Sequence, residues 1–231
     1  MSIGGTFGCV NGGCVSNTAL PEPLIIGSDT NNVTIDRVNA VRLSGDTTVW
    51  DDLRVPLATV RASGTKPPSF DVFKGNTRAW AFSDEIEANE EKIFFQCQMP
   101  HNWKLGSNIY PHIHWSPAEN PAGPDNDVVR WELEYTWASI NEAFPGTSTI
   151  YVNAEMGAAD ALKHLLHHFT DGVNNYISGA GKGLSSILNC RLTRASGNVA
   201  DTYDGKDAFG IEIDFHYEID SMGSNEEISK N

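Results

Sequence analysis

Basic residues are few in this chain: 16 Lys and Arg stand against 30 Asp and Glu, a formal charge of −14. A surface of that sign repels a phosphate backbone, so nucleic acid is excluded from the expected partners. Long hydrophobic runs are missing as well. No stretch approaches the ~18 apolar residues that span a bilayer as a helix, so no membrane partner is expected. The first basic residue is Arg37, and no continuous apolar run precedes it, which argues against a secretory leader. Cysteine is scarce. Cys97 and Cys190 lie in the strand-like runs "IFFQCQM" and "SILNCRL", where a thiol acts as a small core hydrophobe. Cys9 and Cys14 in "GGTFGCVNGGCV" have C-x4-C spacing without a matching second pair, which leaves reduced thiols, a disulfide or a metal open. A phosphate loop is also lacking, because "GAGKG" (179–183) has neither the spacing nor the Ser/Thr and reads as a turn.

What is present reads as strands. Residues 1–44 are rich in Gly, Asn, Ser and Thr and predict an extended N-terminal arm that becomes ordered on a neighbouring surface. Its apolar residues, Ile3, Phe7, Val10, Val15, Leu24, Ile25, Ile26, Val33 and Ile35, are the expected partner contacts. Residues 45–222 form the predicted body and 223–231 a C-terminal tail. In "VVRWELEYTWASI" (128–140) Trp131, Leu133, Tyr135 and Trp137 alternate with Glu132, Glu134 and Thr136. In "FGIEIDFHYEI" (209–219) Ile211, Ile213, Phe215, Tyr217 and Ile219 alternate with Glu212, Asp214, His216 and Glu218. Period-2 patterns of this length predict sheets with one face in the core. Further strands are expected at 92–100, 108–117, 148–156 and 185–194. The exception is "AADALKHLLHHF" (158–169), where Leu162, Leu165 and Leu166 have helical spacing and predict at most one short helix, with a short strand as the alternative at this marginal length. The expected fold is all-β, an antiparallel sandwich of jelly-roll type with about eight strands.

Chemistry centres on "PHIHW" (111–115). On a strand His112 and His114 share a face and can chelate one ion. The spacing from Gly106 through His112 and His114 to Glu119 resembles the first metal-binding motif of the cupins. That resemblance implies a metalloenzyme with His112, His114 and Glu119 around Fe, Mn, Ni or Zn, and oxygenase or isomerase chemistry. The motif's later glycine falls at Asn126 here, Glu119 sits in the Pro-rich "SPAENPAGP", and the second cupin motif has no match. In the other reading Ile113 and Trp115 enter the core while both histidines line the polar face, at a contact. The acidic alternation of Glu212, Asp214, His216 and Glu218 offers another cation-binding face, or a solvated one. Paired acids at Asp51/Asp52, Glu90/Glu91 and Glu226/Glu227 read as solvated turns. A carbohydrate- or receptor-binding module would need Trp103, Tyr110 or Trp115 on the surface.

The runs "TTVWDDLRVPL", "PHIHW", "RWELEYTWASI", "ILNCRLTR" and "IEIDFHYEID" together resemble a recurring type of tailed-bacteriophage virion protein, over residues 47–222. The resemblance implies a non-enzymatic jelly-roll subunit without cofactor, homotrimeric and attached to the particle. Capsid cement or decoration is the first expectation, with the major capsid protein or another virion structural protein as partner. A collar, fibre or tail subunit is the alternative. The expected location is the virion, assembled in the host cytoplasm.

Overall fold

The computed structural model describes residues 6–10, 13–16, 23–36, 40–85, 87–123 and 126–230. The chain is all-β and builds antiparallel sheets. Among the described residues no helix is long and apolar enough to cross a membrane. Strands β1 (Thr6–Val10) and β2 (Gly13–Ser16) form a hairpin, and β3 (Leu24–Gly27), β4 (Asn32–Asp36) and β5 (Ala40–Ser44) a three-stranded meander. The body follows with β6 (Val49–Pro56), β7 (Arg61–Ala62) and the hairpin of β8 (Ser69–Lys74) with β9 (Thr77–Phe82). It continues through β10 (Lys92–Gln98), β11 (Ile109–Pro117), β12 (Asp127–Ala138) and β13 (Ser148–Met156). Last come β14 (Leu165–His168), β15 (Ile187–Arg194) and β16 (Ala208–Ile219).

Two sheets make the sandwich. One has the order β13-β12-β15-β10-β7. The other runs β14-β11-β16, and the free edge of β16 is shared by β9, which carries β8, and by β6. The pairs β9·β16, β10·β15, β11·β14 and β12·β13 nest inside one another, so residues 77–219 form one long antiparallel hairpin doubled over itself. Between the sheets the alternating aromatics meet. Trp131 packs edge-to-face on Phe82 at 5.1 Å and on Trp115 at 6.1 Å, and Trp103 lies 5.7 Å from Trp137. Each fully buried large apolar side chain contributes roughly 1.5–3 kcal/mol, which is why the period-2 pattern dictates this geometry. Cys97 and Cys190 are free and buried in the same core, and the neighbouring Cys97 thiol together with burial pushes the Cys190 thiol well up.

Two expectations need correction. Ile211 does not share the core face with Ile213, Phe215 and Tyr217. The ladder between β11 and β16 shifts register between His114 and Trp115, so His114 opposes Glu212 while Trp115 opposes Gly210, and Ile211 is left without a partner. That bulge reverses the alternation of β16: Ala208 lies in the core on one side of it, and Ile213 and Phe215 on the other. Gly210 is needed at this crossing, because a Cβ there would stand 3.0 Å from Leu57 and 3.2 Å from Phe82. Of the two readings of 158–169, the helix is not formed and a short strand is, over Leu165–His168. Leu162 adopts φ 55°, its N–H bonds to the Pro117 carbonyl, and Leu165–His168 then pairs with β11. The Leu spacing that suggested a helix belongs to a turn followed by a strand.

Within the segment expected as an extended arm, Leu24–Gly27, Asn32–Asp36 and Ala40–Ser44 are pleated into the β3–β5 meander. It is tied to the end of β16, because the Leu43 N–H bonds to the Asp220 carbonyl at 2.6 Å and Arg42 bridges to Ser221. The tail returns to the body, where Ser185 Oγ donates to Glu227 at 3.1 Å and Lys230 pairs with Asp220.

Candidate functional site

Two features stand out on the surface: a histidine-rich sheet face and the apolar side of the meander. The first is built by β11, β14, β16 and β6. Alternation sends Ile113 and Trp115 fully into the core and His112 and His114 to the opposite face, as the strand reading of "PHIHW" expects. Across the ladder His112 opposes Asp214. The Asp214 carboxylate Oδ2 lies 3.2 Å from His114 Nε2 and 3.5 Å from His112 Nε2. His112 is 6% and Asp214 4% exposed, so this is a buried cluster beneath the surface. On the strand opposite, β14 brings His168 to a ring distance of 5.3 Å from His112. The preceding turn brings His164 Nε2 within 2.6 Å of His114 Nδ1. His216 bonds Asp52 at 2.7 Å and stacks on Trp50, while Arg54 makes a two-pronged pair with Glu212. Asp52, Arg54, His114, His164, Ile211, Glu212 and Asp214 line an open groove of about 370 Å³.

The electrostatics follow from burial and from the one carboxylate. Burial pulls the His112 pKa down, but Asp214 outweighs it and holds the imidazole above its usual value. At His114 burial wins, and the pKa is lowered. Burial pushes Asp214 up, yet its neighbours His112, Glu212 and His114 leave it below the ordinary carboxylate value. Two buried atoms of the cluster, His114 Nε2 and Asp214 Oδ1, make no hydrogen bond.

Glu119, expected as the third ligand, is not in this cluster. It is exposed in the loop after β11, where the Tyr203 hydroxyl accepts from its N–H at 2.8 Å and donates to its carbonyl at 2.7 Å. The carboxylate beside the histidines is Asp214, supplied by a strand about a hundred residues later. The signal was present in the β16 alternation of acids with His216, but its register against His112 is a tertiary property. His164 and His168 lack the flanking glycines or proline of a second cupin motif, and only the turn and the β14 pairing with β11 bring them here. Of the aromatics named for a carbohydrate-binding module, Trp103 and Trp115 are fully buried, and Tyr110 is half-buried with its ring 5.6 Å from the exposed Trp50.

The second feature comes from register alone. Leu24 opposes Ile35 and Ile26 opposes Val33; on the other side Val33 opposes Leu43 and Ile35 opposes Val41. Directly opposed residues share a face, so six aliphatic side chains form one apolar side of the meander. Ile25 points to the other side with Thr34 and Arg42. Ile26 is 58% and Ile35 37% exposed, Leu24, Val33, Val41 and Leu43 are half-buried, and among the described residues none of the six joins a buried cluster. Ile3 lies outside the described residues, as do the side chains of Phe7, Val10 and Val15 and the thiols of Cys9 and Cys14.

Comparison with known protein families and with curated proteins finds no match for this chain.

Proposed function

We propose that this chain is a non-enzymatic structural subunit of a tailed-phage virion, a capsid cement or decoration protein. It docks through residues 24–44 on the major capsid protein or another virion structural protein, and its sandwich forms the contacts of a homotrimer. The observation that carries the reading is the in-register apolar side of the β3–β5 meander, which lacks a second layer among the described residues. An amphipathic three-stranded sheet gains its stability by covering such a face, and an apolar face that stays partly exposed, as at Ile26 and Ile35, supports a protein contact there. The strand order supports the jelly-roll part of the reading, because four nested antiparallel pairs split between two sheets are what a double Greek key produces. The resemblance of residues 47–222 to virion proteins supplies the setting.

Electron microscopy of particles carrying a tagged copy of the chain tests this. Density repeated over the head surface is the expected result. Density confined to the collar, fibre or tail would replace cement with the alternative subunit, and absence from purified particles would overturn the virion reading.

A further inference from the structure

We propose that His112, His114 and Asp214 bind a divalent first-row transition-metal ion through both imidazole Nε2 atoms and the Asp214 carboxylate. The site does not depend on the virion reading, and its third ligand differs from the one the His-x-His spacing suggested.

Three observations lead to it. Ligand atoms at ~2.1 Å from a tetrahedral ion stand about 3.4 Å from one another. Asp214 Oδ2 lies 3.2 Å from His114 Nε2 and 3.5 Å from His112 Nε2, and the three residues can each offer one ligand atom within 4.8 Å of the others. The donors also leave hydrogen bonds unmade. His114 Nε2 is near enough to the carboxylate for a hydrogen bond but makes none, and Asp214 Oδ1, in a side chain only 6% exposed, has no partner. An unmade bond on a buried carboxylate costs several times what a surface one does, and an ion between the three groups satisfies both orphans at once. The rings, finally, are held from behind. His114 Nδ1 bonds His164 Nε2 at 2.6 Å, and His112 Nδ1 lies 3.4 Å from the Tyr110 carbonyl, so the far nitrogen of each ring has a partner, the arrangement that orients metal-ligating histidines.

A simple ion pair explains less. If His114 Nδ1 donates to His164, the lone pair of His114 Nε2 lies buried and unused beside a carboxylate. If His164 donates instead, a buried Nε2–H goes unused. A cation removes the conflict in the first case and uses the tautomer that the bond to His164 sets. The donor set of two imidazoles and one carboxylate suits zinc or iron(II), and the groove beside Asp52 and Ile211 leaves room for a water at a remaining position.

The test uses the full chain, freed of metal by chelator, titrated with zinc alone by calorimetry and with cobalt(II) by visible absorption. The expected result is one equivalent bound at micromolar concentration or tighter. That equivalent is lost in His112→Ala and Asp214→Ala, unchanged in Glu119→Gln, and weakened ~10–100-fold in His164→Ala, which positions His114. Far-UV circular dichroism separates a lost site from a lost fold. Imidazole resonances of the wild-type chain provide a readout that needs no variant: zinc should shift His112 and His114 and leave His101 in place. Stoichiometric binding that survives in a folded His112→Ala, or wild-type imidazoles that ignore micromolar zinc, would overturn the proposal.

Discussion

The sandwich and the β3–β5 meander are written in the same code and end in different states. In both, apolar residues alternate along antiparallel strands and stand opposite one another across the ladder. In the sandwich a second sheet covers that face, and Trp131, Trp115, Phe82 and Phe215 are removed from water entirely. In the meander Ile26 and Ile35 stay exposed. The difference lies in whether the described chain supplies an opposing layer, not in the strands. In the proposed reading another molecule brings the layer that covers this face.

The largest way to break the comparison is in the sandwich. Trp131→Ala removes a fully buried indole at the meeting of two sheets and should cost about 3–5 kcal/mol, read from the denaturant midpoint. A similar loss, again ~3–5 kcal/mol, is expected for Arg194→Met. The Arg194 guanidinium is fully buried, pairs with Asp201 through two nitrogens at 2.8 and 3.1 Å, and bonds the Tyr203 carbonyl at 2.7 Å. Its removal leaves the Asp201 charge in the core without its partner. In the meander the opposite is expected. Ile26→Asp and Ile35→Asp should change the unfolding free energy of the purified chain by only ~0.5 kcal/mol each, the range of ordinary surface substitutions. A loss as large as that of Trp131→Ala would show that the meander face is already covered within the chain.

The smallest effect is a pH dependence. Trp115 donates its indole N–H to His167 Nδ1 at 3.0 Å, which requires an unprotonated nitrogen, and burial lowers the His167 pKa accordingly. Below the ordinary histidine value the unfolded chain binds the proton that the folded chain refuses, so stability falls as pH drops through about 6.5. His167→Gln, whose side-chain oxygen can accept the same bond, should flatten part of the decline between neutral pH and pH 5. An unchanged slope in chemical denaturation would assign the dependence to other groups.

Much of this was legible from residues alone. The alternation at 128–140 places Trp131, Leu133 and Trp137 in the core because a strand of that length has no other way to bury them. The same logic fails at Ile211, since a bulge is set by the partner strand and by the room that Gly210 leaves beside Phe82. It fails at 158–169 because three leucines at helical spacing are also compatible with a turn at Leu162 and a four-residue strand. His112 and His114 could be paired from their spacing. Asp214 could not, because its nearness to them is decided by the β11–β16 register across about a hundred residues of chain. The arm's partner residues divide in the same way: Leu24, Ile26, Val33 and Ile35 share a face, and Ile25 is excluded from it by register.

The central claim is that the open meander face is the docking surface, and co-sedimentation with capsids lacking this protein tests it most directly. The wild-type chain and a control altered on the exposed outer face of the other sheet, Phe94→Asp, should both saturate the particles. The folded double variant Ile26→Asp, Ile35→Asp should remain in the supernatant. Saturation by that double variant at wild-type concentrations would contradict the account.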